Sequence, residues 1–144
     1  MRIVLDTNVL IAALLSPFGA PAQLLDLVLA EELSLLLDDR ILAEYHEVAR
    51  RPKFGFAESD LARVLDAITM FAEHVSARPL DLSLPEPGDL PILEVAAAGS
   101  ADALVTGNAR HFVPRRGRHS VRIDAPRDVL ELLRQGRRAS KSEG

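Results

Sequence analysis

Cysteine is missing altogether from this 144-residue chain, which excludes disulfides and thiolate metal sites. Also missing is any run of about 18 or more apolar residues, the length a membrane-crossing helix needs. Asp6 interrupts the N-terminus too early for a secretion signal, so a cytoplasmic protein with no membrane partner is the expectation. There is no internal repeat and no surplus of positive charge. The formal net charge is −4, so bulk electrostatics gives no sign of a nucleic-acid binder.

What is present suits a soluble globular protein, with 48% hydrophobic and 26% charged residues. The length fits one domain with one core, expected over residues 1–136, with a polar tail at 137–144 expected to be disordered. The distribution of charge says more than its sum. Arg110, Arg115, Arg116, Arg118 and Arg122 crowd one region and Arg137, Arg138 and Lys141 another, while carboxylates dominate earlier. An acidic site beside a basic rim suits a metal enzyme acting on a phosphate polymer. Arginines simply solvated on a surface explain the same pattern.

Short apolar runs alternate with helical periodicities. Ile3, Val4 and Leu5 have the pattern of a strand buried on both faces of a parallel sheet. Residues 9–15 read as a short helix, and a second follows with Pro21 in its first turn. Residues 33–37 form the next strand. A helix capped by Asp38 or Asp39 carries Ile41, Leu42, Tyr45 and Val48 and stops at Arg51-Pro52. A long amphipathic helix is predicted over 59–75, then a turn-rich connector holding a short strand around 80–84. Asp89 opens a helix that Gly99 ends, residues 103–106 and 120–123 read as strands, and a last helix runs from Pro126 to Gly136. This alternation predicts a three-layer α/β/α sandwich around a mainly parallel sheet of four to five strands.

Asp6 closes the first strand abruptly. A carboxylate there is costly to desolvate unless a cation or several donors meet it, and ligands of open α/β sheets collect at that edge. The predicted topology brings Asn108, Asp89 and Glu44 to the same edge. Two carboxylates about 4 Å apart repel by roughly 4 kcal/mol at an effective dielectric near 20, so three together call for a cation or a raised pKa. Oxygen ligands without His or Cys favour Mg²⁺ or Mn²⁺. Each residue also has a plain structural explanation. Asp89 could cap its helix, Glu44 could be solvated (Glu47 more so), and Asn108 could be a turn residue with positive φ. Asp102, at the head of its strand, reads as a structural residue.

Four blocks carry a resemblance. They are Val4-Leu5-Asp6-Thr7-Asn8-Val9-Leu10; Leu42-Ala43-Glu44 with Glu47-Val48 and Arg51-Pro52-Lys53-Phe54; Asp89-Leu90-Pro91-Ile92-Leu93-Glu94-Val95-Ala96; and Ala101-Asp102-Ala103-Leu104-Val105-Thr106-Gly107-Asn108 with His111-Phe112. In this order they resemble the PIN-domain family, and most closely its VapC-like branch of toxin–antitoxin toxin components. The resemblance implies a metal-dependent ribonuclease with Asp6, Glu44, Asp89 and Asn108 as the catalytic and metal-binding set for Mg²⁺ or Mn²⁺. Asn8 and Thr106 are expected to fix the ligating carboxylates, and Arg110, Arg115 or Arg116 to hold RNA phosphates. It further implies a cognate antitoxin protein and a homodimer. The fourth position is often Asp in this family; Asn keeps a carbonyl ligand but removes a charge, so a catalytically weak fold that binds RNA or a partner is the alternative. A haloacid-dehalogenase-like phosphatase also ends a buried strand in Asp, but that chemistry wants a second Asp two positions on, where Asn8 stands.

Overall fold

In the computed structural model, residues 1–143 are described, with side chains through Arg137. Five strands form one sheet, ordered β3-β2-β1-β4-β5, and every neighbouring pair is parallel. The strands are β1 (Arg2–Leu5), β2 (Ser34–Leu37), β3 (Glu73–His74), β4 (Ala103–Val105) and β5 (Ile123–Asp124). Ile3, Val4, Leu5, Leu36, Leu37, Leu104 and Val105 have no exposed surface, as expected for strands covered on both sides.

Helices α1 (Thr7–Leu15) and α2 (Ala20–Leu29) connect β1 to β2, and α3 (Asp39–Ala49) and α4 (Glu58–Phe71) connect β2 to β3. The chain then reverses direction across the sheet, and α5 (Leu90–Ala98) leads to β4 on the far side of β1. With right-handed crossovers this reversal puts α5 on the opposite face from α1–α4. Accordingly α5 lies against β1, β2 and β4, while α6 (Pro126–Glu143) packs on α2. The strand order therefore switches between β1 and β4, the crevice where open α/β sheets take their ligands.

No single helix among the described residues is long and apolar enough to cross a membrane; α1 and α2 are apolar but meet at 99°. Most of their residues that face inward are buried in the core.

The α/β/α layering and the parallel sheet agree with the sequence pattern; four local readings do not. The periodicity over 59–75 spans two elements, because α4 ends at Phe71 and Glu73–His74 pair with β2. Val75 N–H then donates to Leu37 O at 2.8 Å, satisfying backbone on the outer side of β2 that a longer helix would have left open. Residues 80–84 form no strand; Ser83 makes a lone antiparallel bridge to Arg116. The last strand lies at Ile123–Asp124 rather than over 120–123. Helix α6 continues past Gly136 to Glu143, so the tail expected from residue 137 begins as helix, and Gly144 lies outside the described residues.

Candidate active site

The carboxyl ends of β1 and β4 lie side by side, since Leu5 pairs with Val105 and the Asp6 N–H donates to Val105 O at 2.9 Å. Asp6 is the residue between β1 and α1, and it is only 4% exposed. Its side chain makes no capping bond to the helix that follows. Instead Oδ2 accepts from the Thr106 hydroxyl at 2.8 Å, and the same Thr106 oxygen accepts the Asn108 N–H at 3.0 Å. Thr106 thus ties the Asp6 carboxylate to the turn that carries Asn108.

Glu44 reaches the site from the second turn of α3. Its Oε2 accepts from the Thr7 hydroxyl at 2.6 Å, so a threonine also orients this carboxylate. The neighbouring Tyr45 is fully buried and donates to Leu5 O at 2.6 Å, anchoring α3 to the backbone just before Asp6. Burial first, and then the charges of Asp6 and Glu44, push the Tyr45 hydroxyl well above its usual range, so it remains a donor. Glu47 points away, exposed and paired with Arg51 at 3.6 Å.

Asp89 precedes α5, but its side chain caps nothing. Oδ2 is buried and makes no hydrogen bond; His111 Nδ1 stands 3.4 Å away without hydrogen-bond geometry. Burial, and next the Asp6 carboxylate, raise the Asp89 carboxyl from 3.8 to about 6. The His111 ring pulls it down, while Glu44 and Glu86 push it further up. Asp89 therefore feels Asp6 and Glu44 as near neighbours and lacks a compensating donor.

A partly buried network links α3 to α5. Glu94, 7% exposed, accepts from Arg40 Nη1 at 2.8 Å and from the Leu80 N–H at 2.9 Å. Arg40 Nε also donates to Asp38 Oδ2 at 2.8 Å, and Asp38 Oδ1 caps α3 through the Ile41 N–H at 3.0 Å. Farther along, Gly117 adopts φ +82° where a Cβ would lie 2.6 Å from Leu82 Cβ. Only glycine allows the 115–117 loop to lie so close to the connector that leads into Asp89.

Several sequence-predicted residues meet here and others do not. Asp6 is bonded to Thr106, Glu44 to Thr7 next in sequence to Asp6, and Asp89 senses the charges of Asp6 and Glu44. Asn108 lies beside them and is exposed, with φ −133°, so it is not a positive-φ turn residue. Asn8, expected to support the carboxylates, is exposed, and its neighbour Thr7 supplies that hydroxyl. Arg110 and Arg115 are exposed, but Arg116 is already paired with Asp81 at 2.9 Å and Arg122 with Asp124 at 2.7 Å. Asp102 accepts the Arg2 N–H at 2.7 Å at the far end of the sheet, a structural bond. His111, Thr7 and Glu94 were not singled out as site residues in the sequence. A hydroxyl directly after the strand-ending carboxylate was the available signal for Thr7.

Among the described residues, no group of three or more His, Asp or Glu side chains is drawn together as an ion would hold it. One oxygen of Asp6 and one of Glu44 are turned to threonine hydroxyls. The donors nonetheless suit a hard divalent cation: three carboxylates and an amide oxygen, with a buried oxygen on Asp89 that lacks any hydrogen bond.

Residues 2–110 match a family model described as PIN domain. The chain is also 33% identical over 72 residues to an uncharacterized protein of Methanocaldococcus jannaschii, covering 50% of this chain and 46% of that protein. It thus spans less than half the length of that relative. No solved structure matches significantly.

Proposed function

The chain belongs to the PIN-domain family, a nuclease fold, and from that premise we propose that it is a divalent-metal-dependent ribonuclease. The observation that carries the proposal is the Asp89 carboxyl. It is held up at about 6 by burial and by Asp6, with one buried oxygen that nothing among the described residues satisfies. Asp6, Asp89, Glu44 and the Asn108 carbonyl would hold Mg²⁺ or Mn²⁺. Such an ion, when bound, supplies an activated water and neutralises charge on the phosphodiester. Thr106 and Thr7 hold the Asp6 and Glu44 carboxylates in place, and Tyr45 fixes α3 against the end of β1. Arg110 and Arg115, exposed and beyond the Asn108 turn, would bind RNA phosphates, giving affinity with little sequence choice.

The VapC-like character of the four sequence blocks supports a finer reading. In it the protein is the toxin of a toxin–antitoxin pair, cytoplasmic, dimeric and restrained by a cognate antitoxin. The neutral Asn108 favours one alternative, a weakly catalytic fold that binds RNA or a partner protein. Incubating purified chain with mixed RNA, in Mn²⁺ or in chelator, separates them. Cleavage that needs the metal and disappears in Asp6→Asn and Asp89→Asn supports the enzyme. Cleavage surviving both substitutions overturns the site, and RNA binding without cleavage favours the alternative.

A further inference from the structure

We propose that His111 supplies a nitrogen ligand to the metal site, beside Asp89, and thereby biases the site toward Mn²⁺ and later transition metals over Mg²⁺. The inference rests on the ribonuclease reading above and assigns a residue to it. Its basis is geometric. His111 Nδ1 stands 3.4 Å from Asp89 Oδ2, an oxygen that is buried yet takes part in no hydrogen bond. Ligands about 2.1 Å from one octahedral ion lie roughly 3 Å apart, so the pair needs only a small adjustment to share an ion. At that distance the His111 ring makes no hydrogen bond to Asp89, so a plain His–Asp pair leaves the oxygen unsatisfied.

The local chain fixes the backbone that carries the ring. His111 sits in a short 3-10 turn, Ala109–Phe112, directly after Asn108, and its N–H closes the turn on Asn108 O at 3.0 Å. Phe112 is 1% exposed and anchors the turn in the core, and His119 Nε2 meets Phe112 O at 2.7 Å. Asn108 contributes a neutral oxygen where a fourth carboxylate would add charge. An imidazole nearby adds a strong neutral donor instead. Imidazole suits the transition metals after Mn²⁺ best, and Mn²⁺, at the start of that series, takes a nitrogen more readily than Mg²⁺, which keeps to oxygen.

Pulsed electron paramagnetic resonance of the metal-stripped chain reloaded with Mn²⁺ tests this, together with calorimetric titration by Mn²⁺ and by Mg²⁺. The expected result is a directly coordinated ¹⁴N signal that His111→Gln abolishes. Mn²⁺ affinity should fall about 10-fold, within the range seen when a supporting group is lost, and Mg²⁺ affinity should fall less. His111 is 41% exposed on its side chain, so the variant should fold; circular dichroism and a His111→Asn variant control for that. Mn²⁺ binding that depends on Asp6 but shows no nitrogen signal, or the same signal in His111→Gln, overturns this inference and leaves the ribonuclease reading intact. A folded chain whose Mn²⁺ binding is absent, or indifferent to Asp6→Asn, overturns both.

Discussion

The Thr106 hydroxyl donates to Asp6 Oδ2 at 2.8 Å, joining side chains 100 positions apart in sequence. The bond crosses from β4 to β1 at the point where the strand order reverses, and it fixes the best-buried acid of the site. Thr106→Val removes the donor while keeping the shape. It should cost about 1–2 kcal/mol in chemical denaturation, because a buried carboxylate oxygen loses its partner. Mn²⁺ affinity should fall about 10-fold or more by calorimetry, and Thr106→Ser should restore most of it.

The Asp89 carboxyl gives a pH dependence with a definite sign. Its folded-state pKa, about 6, lies above the ordinary 3.8, so the folded chain keeps a proton that the unfolded chain releases between those values. The stability this group confers is present at low pH and is lost as pH rises through that window. At neutral pH the ionised carboxylate therefore weakens the metal-free fold. Asp89→Asn should raise the thermal midpoint in chelator at neutral pH, with the gain fading as pH is lowered toward 3.8. In excess Mn²⁺ the order reverses, because the original chain gains more binding energy than the variant. Differential scanning calorimetry reads both.

Glu94 links α5 to α3 through Arg40. Glu94→Ala strands the Leu80 N–H and frees Arg40, and should cost about 1–3 kcal/mol in denaturant unfolding. Glu94→Gln keeps an acceptor for Leu80 and should recover part of that loss. Because α3 carries Glu44 and Asp89 leads into α5, the alanine variant should also bind Mn²⁺ several-fold more weakly.

For RNA, the three arginines singled out by the sequence should separate. Arg110→Ala and Arg115→Ala should each weaken binding across unrelated sequences. Each should also flatten the salt dependence by about 0.7 in the log–log slope, the value for one phosphate contact on a single strand. Arg116→Ala should change less, since its guanidinium is already engaged by Asp81. Fluorescence anisotropy over a salt series in chelator reads this without cleavage.

The strands around the site were legible because unbroken apolar runs such as Ile3–Val4–Leu5 mean burial on both faces. Asp6 stood out because an acid ending such a run has no cheap explanation. Glu73 and His74 could not be read, since two polar residues have no period to reveal and their strand exists only because β2 needs a partner. Asn8 was expected to fix a carboxylate, but residue type does not tell direction: Thr7 begins α1 buried and reaches Glu44, while Asn8 is exposed. The orphaned oxygen of Asp89 is likewise a three-dimensional fact, because the same letter fits a helix cap equally well.

Both margins of the sheet consist of two-residue strands, Glu73–His74 on one side and Ile123–Asp124 on the other. So short a border presents few free amides for another chain to copy, and acidic side chains stand on each. Strand-by-strand fibril growth thus has little template here. A molecule that joins this one has to seat itself on helices or loops, where Phe18 is 90% and Met70 77% open to water.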